Sequence, residues 1–270
     1  MAFESPEEIA DKTAGKLDDA ISLHYPWGGS RKIAGVLGGV GPAATAHFLQ
    51  RVVDFTDAHT DQDNVDLIVT QRSSTPDRTL SITDPSAPNP TASLLRDASI
   101  LREAGAEFLV MPCNTGMYHL NQVKGDLPLP LIDTVKVTVN HLLKRLGGGK
   151  KIAILGTVGT RTTGLYERAT EDLDIEVGYP SEDLQEIVTN IIYEHVKANL
   201  PVPEDLWNNL LSGLDTAGFD GAITGCTELS IAQAALPNNV LPITDSVDAL
   251  AIETVKAAGA KSNLRLLNKN

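Results

Sequence analysis

Short apolar runs alternate along the chain with longer stretches in which apolar residues recur at helical spacing. The runs are rich in branched side chains and lie at 33–37, 65–70, 108–111, 152–155 and 222–224. Such alternation is typical of parallel strands joined by helices. The pattern therefore predicts an α/β fold, with mostly parallel sheets flanked by helices.

Three landmarks occur twice in the same order, which indicates an internal repeat. They are a glycine-rich turn after an apolar run, a cysteine after an apolar run, and a Leu-Pro pair followed by Asp. The glycine-rich turns lie within 33–41 and 152–159, and the cysteines lie within 104–115 and 217–228. The Leu-Pro landmarks lie at 129–134 and 241–246. Two such halves predict two pseudo-symmetric lobes, with an active site in the cleft where their strand ends meet.

The repeat also predicts where the lobes begin and end. Residues 31–134 together with 247–270 should form the first lobe, and residues 135–246 the second. Residues 1–30 precede the repeat and are predicted to form a helical extension, because Pro6 stands at a typical first position of a helix. We assign no chemistry to this extension.

The charge of the chain excludes several classes of partner. Its 270 residues carry a formal net charge of -13, without the clusters of Lys and Arg that nucleic acid or an anionic membrane would require. No apolar stretch approaches the roughly 20 residues that span a bilayer, and no secretory signal pattern is present. We expect a cytoplasmic protein that acts on a small molecule.

The chain has two cysteines, Cys113 and Cys226, at equivalent places in the two halves. A reducing compartment favours free thiols over a disulfide, and no His or Cys stands at metal-ligand spacing beside either one. One cysteine after an apolar strand is often just a small buried residue. At the start of a helix, however, backbone amides stabilise a thiolate and can bind a carboxylate.

A pair of facing cysteines suits a particular reaction. Racemisation removes a proton from one face of a carbon atom and returns a proton to the other face, so it needs two acid/base groups on opposite sides of the substrate. Cys113 and Cys226 at equivalent strand ends would supply them without a cofactor. The repeat therefore predicts a two-base racemase.

Three sequence motifs carry a family resemblance. The sequences GGVGPAAT at 38–45, PCNT at 112–115 and GCTE at 225–228 resemble the aspartate/glutamate racemase superfamily. The GCTE form, together with TPDR at 75–78, is similar to the aspartate racemase branch, whereas glutamate racemases usually have GCTH. The resemblance implies an enzyme that needs no pyridoxal phosphate, acts on an acidic amino acid and forms a homodimer.

The resemblance also implies roles for particular residues. Cys113 and Cys226 would be the two bases, and Arg78 and Lys197 would hold the distal carboxylate of the substrate. Both cations follow the glycine-rich turn of their own half by about forty residues, so they occupy equivalent places. The other predicted substrate-binding residues are Val40, Asn114, Thr115, Thr157, Thr227 and Glu228. Among them, Asn114, Thr115 and Thr227 would hold the α-carboxylate.

Other reactions of the superfamily stay open. They include racemisation of glutamate or of a broader set of amino acids, hydantoin racemisation and maleate-type isomerisation. His119 and Val40 depart from the usual aspartate racemase pattern, which bears on the substrate more than on the reaction. We expect a dicarboxylic substrate, because a hydantoin would leave Arg78 and Lys197 without an anionic partner.

Two alternatives lie outside the superfamily. The segment 39–44 fits the G-x-G-x-x-A pattern of a nucleotide-dependent dehydrogenase. However, Pro42 lacks the amide that a pyrophosphate would use, and no acidic residue follows the second strand to bind a ribose. A binding module that does no chemistry would keep the cleft. The sequence offers no missing base to support this alternative, because both cysteines are present.

Overall fold

The computed structural model describes residues 31–236, 238 and 240–263. The predicted helical extension at 1–30 and the last seven residues of the predicted first lobe lie outside the described residues. The first lobe has three strands: β1 (Ala34–Gly38), β2 (Leu67–Gln71) and β3 (Phe108–Val110). They form a parallel sheet in the order β2-β1-β3. Its helices are α1 (Pro42–Phe55), α2 (Leu80–Thr83), α3 (Thr91–Glu103) and α4 (Asn114–Gln122), with short 3₁₀ turns at Asp61–Asp63 and Lys124–Asp126.

The second lobe follows helix α5 (Thr134–Leu146) and repeats this plan. Its strands are β4 (Lys150–Leu155), β5 (Ile175–Gly178), β6 (Gly221–Thr224) and β7 (Ile243–Thr244), parallel and in the order β5-β4-β6-β7. Its helices are α6 (Val158–Thr163), α7 (Leu165–Thr170), α8 (Glu182–Asn190) continued by a π-helix (Ile191–Val196), α9 (Glu204–Thr216) and α10 (Thr227–Ala235). Helix α11 (Ser246–Ala257) follows β7. Among the residues that the structure describes, no helix is long and apolar enough to cross a bilayer.

The order of the strands confirms the predicted two-lobed α/β fold. The first strand of each half lies between the second and the third: β1 between β2 and β3, and β4 between β5 and β6. In the second lobe β7 extends the sheet beyond β6, and in the first lobe Leu131 makes a single parallel bridge to Leu109 at the matching place. The internal repeat of the sequence is therefore a repeat of structure.

The repeated Leu-Pro and Asp landmark marks the start of a helix in each half. The Asp133 side chain accepts hydrogen bonds from the first backbone amides of α5, at 3.0 and 3.2 Å. The Asp245 side chain does the same for α11, at 2.8 and 3.0 Å. Aspartate is a preferred N-cap because its oxygen satisfies amides that have no partner within the helix. The two aspartates thus fix equivalent helices.

Helix α11 follows the second lobe in sequence but packs on the first. Val247 and Leu250 share a buried apolar cluster with Phe48 of α1. Arg51 of α1 also binds Asp248 of α11 through two hydrogen bonds of 2.6 and 3.0 Å. The end of the chain therefore completes the core on which β1 and α1 rest.

Candidate active site

The two cysteines occupy matching junctions between a strand and a helix. Cys113 follows β3 and is the N-cap of α4, and Cys226 follows β6 and is the N-cap of α10. Both backbones are extended, both residues are about 7% exposed, and neither is in a disulfide. Because the first amides of a helix have no partner within it, each cysteine lies beside free hydrogen-bond donors.

One cleft gathers all ten side chains that the sequence predicts. They are Val40, Arg78, Cys113, Asn114, Thr115, Thr157, Lys197, Cys226, Thr227 and Glu228. Asp77, Thr79 and Tyr193 also line the cleft and were not predicted. The sequence could have indicated all three as lining residues. Asp77 and Thr79 are sequence neighbours of Arg78, and Tyr193 stands one helical turn before Lys197.

The cleft is narrow. Its cavity volume is about 20 Å³, which is room for about one water. Thr79 and Thr157 join the two lobes through a 3.0 Å hydrogen bond between their hydroxyl groups. Beside them, a Cβ atom on Gly159 would lie only 3.0 Å from the Thr115 methyl group and 3.1 Å from the Thr79 hydroxyl. Contacts between the two lobes therefore limit the space that the cleft offers to a substrate.

Glu228 connects Cys226 to Lys197. The Cys226 thiol donates to Glu228 Oε2 over 2.9 Å, and Lys197 Nζ donates to Glu228 Oε1 over 2.7 Å. Lys197 therefore has an anionic partner in the absence of substrate. The expectation that a hydantoin would leave Lys197 without an anionic partner is wrong. The sequence did not reveal this pair because the two residues lie 31 positions apart on different helices.

This contact shifts the proton affinities of all three groups. Burial raises the pKa of Cys226, and the Glu228 charge raises it further. Burial works against ionisation of Glu228, but the Lys197 charge and the hydrogen bonds from Cys226 and Lys197 together outweigh it and lower the Glu228 pKa. Burial likewise disfavours the charged form of Lys197, yet Glu228 raises its pKa. Glu228 and Lys197 are therefore an ion pair, and Cys226 is a thiol.

Arg78 has an unsatisfied donor in the cleft region. Its Nη1 donates to the carbonyl groups of Thr75 and Pro76, at 3.1 and 3.0 Å. Its Nε is buried and has no hydrogen-bond partner. His119 does not line the cleft but supports this segment, because its Nε2 lies 3.1 Å from the Ser81 hydroxyl and 3.4 Å from the Arg78 carbonyl. Arg78 itself lines the cleft.

Asn114 holds the start of α4 in place. Its Nδ2 donates to the Ser246 hydroxyl at 3.1 Å, and its Oδ1 accepts from the Tyr166 hydroxyl at 2.8 Å. Tyr166 belongs to α7 and Ser246 to α11, so Asn114 links α4 to two further helices. Its side chain is therefore engaged by the protein, and the amides beside Cys113 stay in a fixed orientation.

The glycine-rich turn after β1 owes its glycines to close backbone approach. Gly39 and Gly41 have φ angles of +79° and +122°, which other residues rarely adopt. A Cβ atom on Gly39 would clash with the Arg72 backbone, and one on Gly41 would lie 3.0 Å from Glu228 Oε1. The turn thus brings Val40 to the cleft. Among the described residues, no group of three or more His, Cys, Asp or Glu side chains is placed to hold a metal ion.

Comparison with known proteins gives a consistent family. The sequence profile described as Asp/Glu/Hydantoin racemase matches residues 37–254. The chain is 25% identical to the broad specificity amino-acid racemase RacX of Bacillus subtilis, over 82% of this chain and 96% of that protein. It is also 25% identical to a glutamate racemase of Limosilactobacillus reuteri, over 61% of this chain and 60% of that protein. The structure of Picrophilus torridus aspartate racemase is similar with a TM-score of 0.74 and 25% identity, over 86% of this chain and 96% of that chain.

Proposed function

Because this chain belongs to the Asp/Glu/Hydantoin racemase family, we propose that it interconverts L- and D-aspartate without a cofactor, using Cys113 and Cys226 as its two acid/base groups. The observation that carries this proposal is the pair of buried, free cysteines at the starts of equivalent helices, both lining one cleft. A substrate carbon between them would have one sulfur on each face.

The proposed reaction moves one proton at each sulfur. A thiolate on one side takes the α-proton and becomes a thiol, and the electron pair of the broken C–H bond passes to the α-carbon and its carboxylate. The thiol on the other side then gives its proton to the opposite face and becomes a thiolate. Backbone amides at the starts of α4 and α10, with Thr115 and Thr227, would stabilise the negative charge that develops on the α-carboxylate.

Two cations support a substrate with a second carboxylate. The buried, unpartnered Nε of Arg78 is a donor that an anion would satisfy, and Lys197 lines the same cleft. With aspartate bound, Lys197 would be shared between Glu228 and the distal carboxylate, while Val40 and Thr157 would complete the wall. Similarity to the Picrophilus torridus aspartate racemase supports the same substrate.

A broad-specificity racemase is the second candidate, and a particular contact favours it. Since Glu228 already neutralises Lys197, an amino acid without a second carboxylate would not leave Lys197 unpaired. The similarity to RacX and to a glutamate racemase supports the same alternative. The two candidates share the cysteine chemistry and differ only in what Arg78 and Lys197 bind.

A single assay separates these candidates. The purified, reduced protein is incubated in deuterated water with the L-form of aspartate, glutamate or alanine, without added cofactor. NMR follows α-proton exchange, and chiral chromatography follows the enantiomers. We expect deuterium uptake and accumulation of D-aspartate, and a Cys113→Ala/Cys226→Ala variant is the control. Equal turnover of alanine would favour the broad-specificity candidate, and no exchange with any amino acid would reject both.

The family resemblance also supports three further proposals. We propose that the protein is a homodimer, that it is cytoplasmic, and that its lobes divide at 134/135 and 246/247. The two divisions fall beside the capping residues Asp133 and Asp245, where α5 and α11 begin. Light scattering of the purified protein measures the oligomeric state.

A further inference from the structure

We propose that Glu228 holds a proton on Cys226 in the ligand-free protein, so that the first thiolate to form in the cleft is that of Cys113. The inference rests on the proposed two-cysteine reaction, in which one sulfur is ionised and the other is protonated before the substrate reacts. It gives Glu228, predicted from sequence as a substrate-binding residue, a positioning role that acts through Cys226.

The Glu228 carboxylate is shared between two donors. Its Oε2 accepts the hydrogen bond of the Cys226 thiol over 2.9 Å, and its Oε1 accepts from Lys197 over 2.7 Å. Cys226 and Glu228 are each less than a tenth exposed, so little water screens them from each other. A thiolate at this distance would face a carboxylate charge, and like charges so close disfavour ionisation. The protonated form of Cys226 is therefore the one that fits its neighbour.

The pseudo-symmetry of the fold provides an internal comparison. Cys113 and Cys226 have the same exposure and begin helices of equal length. The residue two positions after Cys226 is Glu228, but the residue two positions after Cys113 is the uncharged Thr115. Asp77, the second carboxylate of the cleft lining, is engaged elsewhere, because it accepts the amide of residue 80 over 2.7 Å.

Lys197 does not cancel this difference. Its ammonium binds the Glu228 oxygen that does not contact the sulfur, and it interacts electrostatically with both cysteines. A cation that acts on both thiols lowers the cost of forming a thiolate at either one. The carboxylate acts at one sulfur through direct contact, so it decides where the proton stays.

The location of the proton decides which enantiomer the resting protein can receive. L- and D-amino acids present the α-hydrogen to opposite sulfurs, and abstraction needs a thiolate on that side. The enantiomer that needs a thiolate at Cys226 binds only the minor form of the protein in which Cys226 is ionised. Its KM is therefore raised by a factor of one divided by the fraction of the protein in that form. Both enantiomers have the same free energy in solution, so kcat/KM must be equal in the two directions. The kcat for that enantiomer is therefore higher by the same factor as its KM.

Alkylation resolved by peptide measures the thiolate at each cysteine without any substrate. The ligand-free protein is treated with iodoacetamide between pH 6 and pH 10, and mass spectrometry gives the rate at Cys113 and at Cys226. We expect the half-maximal rate at Cys226 to occur at least about one pH unit above that at Cys113. Glu228→Gln should lower the Cys226 midpoint by about one unit, and Lys197→Met should raise it.

The opposite signs of these two shifts exclude a purely structural cause. A loosened cleft would let water reach Cys226 and lower its midpoint in both variants, so it could not give shifts of opposite sign. Asp77→Asn, which removes the other carboxylate of the cleft lining, is the matched control and should leave the Cys226 midpoint unchanged. Equal midpoints for both cysteines, or an unmoved Cys226 midpoint in Glu228→Gln, would overturn the proposal. Inactivity towards amino acids with the expected midpoints would reject the proposed function alone.

Discussion

A thiolate is a base and a thiol is an acid, and the proposed reaction needs one cysteine in each form at every turnover. Cys113→Ser and Cys226→Ser each replace one sulfur with a hydroxyl group that hardly ionises near neutral pH. Each variant should lose racemisation by about 10³-fold, since general acid/base groups contribute 10²–10⁴-fold. Each should still exchange the α-proton of the enantiomer that faces its remaining cysteine. Chiral chromatography and NMR exchange measure both quantities, and full racemisation by either variant would disprove the two-base mechanism.

Arg78 offers a test of the distal carboxylate. Arg78→Ala removes the guanidinium with the buried, unpartnered Nε. The KM for aspartate should rise by about 10- to 100-fold, the size of a lost charge-assisted hydrogen bond. The KM for any neutral amino acid that is turned over should change by less than about threefold. Steady-state kinetics with Arg96→Ala, at an exposed arginine of α3, provides the control. An equal loss for both substrate classes would move the distal site elsewhere.

At the scale of residues, the sequence located the cleft but not its internal contacts. The repeat predicted the two facing cysteines, the family resemblance implied the other eight positions, and all ten line one cleft. The Lys197–Glu228 pair depends on how the π-helix packs beside α10, and no periodicity encodes that packing. Tyr193 was also missed, although it stands one helical turn before Lys197 and its ring lies 5.8 Å from Lys197 Nζ.

At the scale of elements, the capping residue Asp245 should make the stability of the fold depend on pH. Burial raises the pKa of Asp245 to about 7, and the neighbouring Asp248 contributes further. An acid whose pKa is raised by folding stabilises the fold below its unfolded pKa, near 4, and this contribution is lost as the pH rises to about 7. Asp245→Asn keeps the capping oxygen but cannot ionise. Relative to the unmodified protein, this variant should therefore gain stability between pH 5 and pH 8.

The expected gain is roughly 2–3 kcal/mol, because each unit of pKa shift corresponds to about 1.4 kcal/mol. Urea titrations at pH 5 and pH 8 measure it as a change in the free energy of unfolding. Asp133→Asn, at the equivalent cap of α5, is the matched control. A gain that does not depend on pH would show that the Asp245 charge is not the cause.

The strands that the sequence did not predict explain the limits of pattern analysis. β5 is an edge strand with an exposed Glu176, so it lacks a continuous apolar run. β7 has only two residues, which is too short for a pattern. The helix that begins at Glu182 continues as a π-helix from Ile191. The buried strands β1, β3, β4 and β6 were predicted because parallel strands covered on both faces are apolar throughout.

At the scale of the whole molecule, closure of the cleft depends on close contact between the lobes. Gly159→Ala would place a methyl group against Thr79 and Thr115, within 3.0 to 3.2 Å of their atoms. The lobes should then close less completely, and kcat/KM should fall about tenfold, because small errors in positioning reacting groups are costly. The melting temperature should change by only a few degrees.

Gly125→Ala is the control for this substitution, because a Cβ atom there would meet nothing within 4 Å. Steady-state kinetics and thermal unfolding of both variants give the comparison. If Gly159→Ala lost stability as strongly as activity, the contact would be a packing requirement of the fold and not a closure contact.

The position of α11 also sets the order in which the protein can fold during synthesis. This helix is made after the whole second lobe, yet Val247, Leu250 and Val255 share the buried cluster of Phe48 and Phe55. Until α11 leaves the ribosome, the first lobe exposes the apolar side of α1. The half that is translated first is therefore the half that is completed last, and it is exposed to aggregation and chaperones throughout translation of the second lobe.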